Sequence, residues 1–182
     1  ADGTLKVGQI TNSAGSGNIT IGSGVTLQNN VPALFVSKNA SQTTSDATAT
    51  KVVFEVEDAL TTSGTWSSAN NRWTPGVAGT YNITVLIKGY PNGQAASEYL
   101  VQIYKNGLQI CNTHLALTAA YFQASGYIGV PCTINDTASD TDYYEAYVTC
   151  NTASGADFIV ASKGGTGGVD IRTFFTGYKL GA

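Results

Sequence analysis

Charge is scarce in this sequence of 182 residues. Lys, Arg, Asp and Glu together make up 12% of it, about half the usual share. Nine basic and twelve acidic residues leave a formal net charge of -3, which argues against a surface for nucleic-acid phosphates. No apolar run approaches the roughly 20 residues of a membrane span, and the start at Ala1 lacks the basic and apolar segments of a signal peptide. We therefore expect no nucleic-acid partner and no membrane insertion.

Side chains that carry chemistry are also few. The single His and three Cys are too few for a His/Cys metal site of the usual spacing. His114 could act in a catalytic triad only with an activated serine, and the sequence contains no nucleophile-elbow motif. Glu55 and Glu57 could pair for glycoside hydrolysis, but they alternate with Phe54 and Val56, which predicts a solvated strand face. We expect a protein that is not an enzyme and holds no cofactor.

The three cysteines form an odd set, so at least one is unpaired within a chain. They are Cys111, Cys132 and Cys150. Buried, reduced thiols are the default in a chain without a secretory signal. A bond between two chains is the alternative for the odd cysteine.

The sequence contains many short stretches of alternating apolar and polar residues, separated by Gly, Asn, Ser and Pro. Helical periodicity is nearly absent. Asn106 and Gly107 predict a tight hairpin, since both central turn residues must take positive φ. The alternation predicts an all-β sandwich or jelly roll. Its predicted strands are residues 52–56, 81–87, 98–104, 108–115, 143–150, 158–162 and 169–180.

The first 31 residues differ from the rest. Their apolar residues come in small groups separated by Gly- and Ser-rich stretches, too short to enclose a core. We expect these residues to pack against the main domain, against other copies of themselves or against another protein. The alternative is that they form a loose linker. We therefore divide the chain into an anchoring segment, 1–31, and a main domain, 32–182. The anchor candidates are Leu5, Val7, Ile10, Ile19, Ile21, Val25 and Leu27.

From Trp66 onward the chain resembles the C1q-type globular domain, the jelly roll related to tumour necrosis factor. The family pattern spaces two aromatics ahead of Gly-x-Tyr-x-apolar-x-apolar, which corresponds here to Trp66, Trp73, Gly79, Tyr81 and the residues that follow. Two family aromatics are aliphatic in this chain, and no collagen-like stalk precedes the domain. The resemblance therefore implies the fold and does not imply a complement-like role.

Three later segments match the same family in the same order. Residues 103–107 resemble its central hairpin, 142–148 its penultimate strand and 175–180 its closing strand. The resemblance implies a homotrimer packed along one sheet face. It places Tyr81, Tyr147 and Phe175 in or near that face, with ordinary core positions as the alternative. A low-charge, aromatic sheet face with no helix to cover it would itself favour association.

Residues 5–10, Leu-Lys-Val-Gly-Gln-Ile, resemble the openings of phage virion proteins. Together the resemblances suggest a trimeric virion structural protein. Its N-terminal segment would bind a capsid or tail protein, and its knob would decorate the particle and contact a host glycan or protein. The alternative is a secreted or cell-surface C1q-like ligand-binding module.

Two further sets of residues are candidates for binding. Asp136, Asp140 and Asp142 lie between two predicted strands and could hold calcium, although a solvated turn is the simpler interpretation. Loops at the ends of a jelly roll are natural contact sites. Their candidate residues are Tyr90, Asn92, Gly165 and Thr166.

Overall fold

The computed structural model describes residues 31–60, 63–117, 126–152, 155–162 and 173–180. Within these ranges the chain forms thirteen β-strands and no helix. The strands are β1 (Ala33–Ser37), β2 (Gln42–Thr44), β3 (Thr50–Lys51), β4 (Val56–Leu60), β5 (Thr65–Ser67), β6 (Arg72–Thr74), β7 (Gly79–Pro91), β8 (Ala96–Lys105), β9 (Leu108–Ala116), β10 (Ile128–Ala138), β11 (Tyr144–Thr152), β12 (Phe158–Val160) and β13 (Phe174–Lys179).

The strands form two antiparallel sheets. Sheet A has the order β2-β12-β7-β13-β1-β4, with β10 also paired to β7. Sheet B has the order β5-β6-β11-β8-β9, with β3 also paired to β11. Strand β7 is long enough to pair β10 along one edge and both β13 and β12 along the other. The predicted all-β sandwich is confirmed.

Eight of these strands pair in a nested order. The first, β1, pairs with the last, β13; inside that pair β6 bonds β11, β7 bonds β10, and β8 bonds β9. Such nesting arises when one long hairpin wraps into two sheets, which is the arrangement of a jelly roll. The innermost pair is the predicted hairpin, and its turn residues Asn106 and Gly107 have φ of 53° and 79°.

The predicted strand at 52–56 is wrong. Residues 52–55 are irregular, and β4 begins only at Val56. Side chains bind two amides of this segment instead: Val53 N–H donates to Oε1 of Gln42 on β2, and Phe54 N–H donates to Oδ1 of Asn71, both at 2.9 Å. Amides that donate to side chains in this way are not available for the backbone hydrogen bonds of a strand pair.

Glu55 and Glu57 are both exposed, as the alternation predicted, but Glu55 is also held by an ion pair and by backbone hydrogen bonds. Its Oε1 accepts a 2.9 Å hydrogen bond from the ammonium of Lys38, whose side chain is fully buried. Its Oε2 accepts the backbone N–H of Asn39 at 2.7 Å. Burial lowers the pKa of Lys38 more than the ion pair raises it. Burial also acts to raise the pKa of Glu55, but these hydrogen bonds outweigh it and lower that pKa.

Aromatic side chains fill the space between the sheets. Trp73 packs edge-on against Tyr81, with ring centroids 5.7 Å apart, and lies over Gly177 of β13. A Cβ at Gly177 would overlap the indole, so glycine is required there. The hydroxyl of Tyr99 in sheet B donates to the carbonyl of Ile87 in sheet A at 2.7 Å, which ties the sheets together.

Candidate functional site

The outward side of sheet A carries an uncharged central region, although the same sheet holds Lys88 on β7 and the exposed Glu57 and Asp58 on β4. The inward residues of β7, among them Ile83 and Val85, are fully buried. The residues between them, Asn82, Thr84 and Leu86, therefore point away from the core. The strand register continues this surface onto β10, β13 and β1. We call it the neutral face, and it consists of Ala33, Phe35, Asn82, Thr84, Leu86, Pro131, Thr133, Asn135, Phe174, Thr176 and Tyr178.

Short polar side chains on the neutral face bond to one another. The hydroxyls of Thr84 and Thr133 lie 3.0 Å apart, and Asn82 Nδ2 donates to Asn135 Oδ1 at 2.8 Å. These hydrogen bonds satisfy polar groups that carry no charge. Burying such groups in an interface therefore costs less desolvation free energy than burying ions.

Aromatic rings lie beside these polar pairs on the same face. Phe35 and Phe174 stack with centroids 5.5 Å apart, both partly exposed, and Tyr178 remains 47% exposed. A tyrosine with an apolar ring and a polar tip suits a partly wet contact. The neutral face therefore combines apolar area with a low cost of desolvation, which favours contact with another protein surface.

The outward side of sheet B is different, because ions lie on it. We call the outward positions of β3, β8, β9 and β11 the charged face. Glu145 is nearly buried there and accepts a 2.5 Å bond from Lys51, while the exposed His114 lies 2.8 Å from Glu98. Partial burial acts to lower the pKa of Lys51, but the bond to Glu145 outweighs it and raises that pKa.

The three aromatics assigned to the trimer face or the core occupy different places. Tyr81 and Phe175 are fully buried within the single chain, so the core alternative describes them. Tyr147 lies on the charged face, half-buried and stacked on Tyr104 with centroids 4.1 Å apart. Sequence reasoning missed Phe35, Phe174 and Leu86, because only the register between distant strands shows that they share a surface.

The three aspartates do not converge on a metal position. The ammonium of Lys105 lies between Asp136 and Asp142, at 2.9 and 3.2 Å, and pairs with both carboxylates, whereas Asp140 is exposed. Among the described residues no group of three or more His, Cys, Asp or Glu side chains could hold a metal ion. The calcium hypothesis for these aspartates is therefore not supported by their geometry.

One predicted contact loop can be located in the structure. Tyr90 packs edge-on against Tyr127 with centroids 5.1 Å apart, and the ammonium of Lys88 lies 4.6 Å from the centre of the Tyr127 ring. Tyr127 is 55% exposed and Asn92 is exposed, so this end of the sandwich presents rings and an amide to solvent. The remaining loop candidates, Gly165 and Thr166, and all seven anchor candidates lie outside the described residues.

No family model matches the chain, and no curated protein matches it. The part of the chain that the structure describes contains no helix of the length and hydropathy needed to cross a membrane.

Proposed function

We propose that this chain is a homotrimeric virion structural protein. Residues 32–182 form a knob that projects from the particle, and residues 1–31 attach it to a capsid or tail protein. The knob decorates the particle and contacts the host surface by binding rather than by chemistry. The observation that carries this proposal is the neutral face.

The neutral face supports self-association because it lacks the features that keep a sheet face in water. Charged side chains resist burial because they lose their hydration, and the charged face of this sandwich carries them. The stacked Phe35 and Phe174 and the half-exposed Tyr178 would each bury more apolar area in an interface. The nested strand order is also the one that the C1q-type resemblance implies, and that family packs as trimers along a sheet face.

A trimer gives three copies of each loop a common direction. Tyr90, Asn92 and Tyr127 lie together at one end of the sandwich and suit a partly wet contact with a glycan or a protein. Three weak contacts held on one rigid body bind far more tightly than one. This gain in affinity from three simultaneous contacts makes a small knob useful for adhesion.

The first test is the native mass of the full chain, measured by light scattering at low and high salt. We expect three times the chain mass of 18.9 kDa at both salt concentrations, because an uncharged interface is not screened. A mass of one or two chains would contradict the trimer. A trimer that dissociates in salt would contradict the neutral face as its interface.

The second test addresses location. Antibodies raised against residues 32–182 are applied to purified virus particles from a culture that produces the protein, and the label is followed by electron microscopy. Label on the particle surface is expected. Label on cell surfaces and not on particles would contradict the virion assignment and support the alternative, a secreted or cell-surface ligand-binding module.

A further inference from the structure

Two thiols meet where the edges of the two sheets come together. Cys111 lies on β9, which pairs with β8 in sheet B, and Cys132 lies on β10, which pairs with β7 in sheet A. Their sulfur atoms are 3.4 Å apart. The pair therefore spans the two sheets.

Side-chain contacts, rather than backbone hydrogen bonds between paired strands, join β9 to β10. The hydroxyl of Thr113 on β9 donates to the carbonyl of Pro131 on β10 at 2.8 Å, and the thiol of Cys111 lies 3.8 Å from the carbonyl of Thr133. We call the contact of β9 and β10 through these four residues and Cys132 the seam. The seam is a row of side-chain contacts between two strand edges, so a covalent link there would add what backbone pairing does not supply.

The two sulfurs differ in access. Cys111 is partly exposed, whereas Cys132 is fully buried. A small oxidant can therefore reach Cys111 from solvent, and Cys132 is placed behind it to complete the bond. Cys150 is also buried, on β11, which leaves it as an internal reference thiol.

The geometry points to a redox modification site at the seam: Cys111 and Cys132 form an intrachain disulfide by exchange with a low-molecular-weight disulfide. The sulfur of Cys111 attacks one sulfur of the small disulfide, forms a mixed disulfide and releases one small thiol. The sulfur of Cys132 then attacks the sulfur of Cys111 and displaces the second small thiol. The two protein thiols lose two electrons and two protons, which end on the two released thiols.

The environment of Cys132 sets the pace of the second step. Burial, followed by the hydrogen bond with Cys111, raises the pKa of Cys132 to about 12. Burial of Cys132 persists when Cys111 is in the mixed disulfide, and the attacking form is the thiolate, so closure of the bond accelerates as the pH rises. The neighbouring seam groups, Thr113, Pro131 and Thr133, carry no charge that would alter this dependence.

The consequence is a sandwich whose two sheets are covalently joined. The cysteines are 21 residues apart along the chain, so the link restricts a loop of that size in the unfolded state. We expect the melting temperature of the oxidised chain to exceed that of the reduced chain by about 10 °C. This inference does not depend on the proposed virion role.

The test uses the full chain, first reduced and then incubated with glutathione disulfide. After removal of the reagent, the protein is denatured and alkylated, and its intact mass and linked peptides are measured. We expect one alkylated cysteine per chain, Cys150, and a linked peptide pair containing Cys111 and Cys132. The melting temperature is measured before and after oxidation.

Two variants make the result specific. Cys111→Ser should show no rise in melting temperature on oxidation, whereas Cys150→Ala should keep the whole rise and leave no cysteine to alkylate. The proposal is overturned if folded wild-type protein still has three alkylated thiols after oxidation. A stable mixed disulfide at Cys111, or a bond between Cys111 residues of two chains, would overturn it equally.

Discussion

The two outer faces of this sandwich are built on the same alternation but carry different chemistry. On the neutral face, threonine, asparagine and aromatic side chains bond and stack among themselves. On the charged face, Glu145 and Glu98 are each matched by a cation or a histidine. The difference teaches that the fold alone does not decide the chemistry of its outer faces. The decision lies with outward residues that contribute little to the core.

The strongest test of the difference between the two faces places one carboxylate on each face in turn. Leu86 on the neutral face and Leu100 on the charged face are both partly buried, outward-pointing leucines. Leu86→Glu should reduce the native mass threefold, because an unpaired carboxylate in an interface loses its hydration. Leu100→Glu is the matched control and should leave the mass unchanged. Equal masses for the two variants, measured by light scattering on folded protein, would remove the distinction between the faces.

The charged face should respond to loss of a cation through stability rather than assembly. Lys51→Met leaves the nearly buried Glu145 without its ion-pair partner. We expect the free energy of unfolding to fall by about 2 kcal/mol, less than for a fully buried pair because Lys51 is one-third exposed. Urea denaturation measures this loss, with Lys51→Arg as the charge-preserving control. A native mass that also falls would show that the charged face takes part in assembly.

Low pH should lower the free energy of unfolding through the end of the sandwich where Lys105 pairs with two carboxylates. Hydrogen bonds from Asn106 and the backbone of Ser139, together with Lys105, hold the pKa of Asp142 well below its usual range. A depressed carboxylate pKa stabilises the fold above the unfolded-state pKa near 4, and this contribution is lost as the pH falls toward the lower folded pKa. In Asp142→Asn, the free energy of unfolding should therefore change less steeply with pH below about pH 4. Unfolding followed by circular dichroism at successive pH values checks this, and an unchanged slope would contradict it.

The smallest effect is expected at the exposed pair on the charged face. His114 and Glu98 are both well exposed although they lie 2.8 Å apart. Solvated pairs of this kind contribute little, so His114→Gln should change the free energy of unfolding by less than about 0.5 kcal/mol. The same denaturation measurement applies. A loss above 1 kcal/mol would mean that the charged face is more tightly organised than its exposure indicates.

Sequence reasoning found the elements whose signals are local. The hairpin at Asn106 and Gly107 needed only two residues that tolerate positive φ, and the alternation of β7 was visible along one stretch. Strand β10 was missed because Pro131 interrupts it and its outward residues are polar. Proline is tolerated there because β10 pairs with β7 on one edge only.

The rest of the candidate site depended on contacts between distant residues. Phe35 and Phe174 stack although they are far apart in the sequence, and no local pattern predicts that contact. The placement of Lys105 between two aspartates likewise gave an ion pair where the sequence offered a solvated turn or, as the less favoured alternative, a calcium site. Residue types indicated the chemistry available, and the strand register decided which groups meet.

The pairing of the first and last strands has a consequence for how the protein is made. The hydroxyl of Thr176 on β13 donates to the carbonyl of Leu34 on β1, which lies 142 residues earlier. A ribosome adds about 5–20 residues per second, so β1 emerges many seconds before its partner exists. During that interval one edge of β1 is an open template for other nascent chains. Because β1 has only five residues, the open edge that another chain could pair with is short.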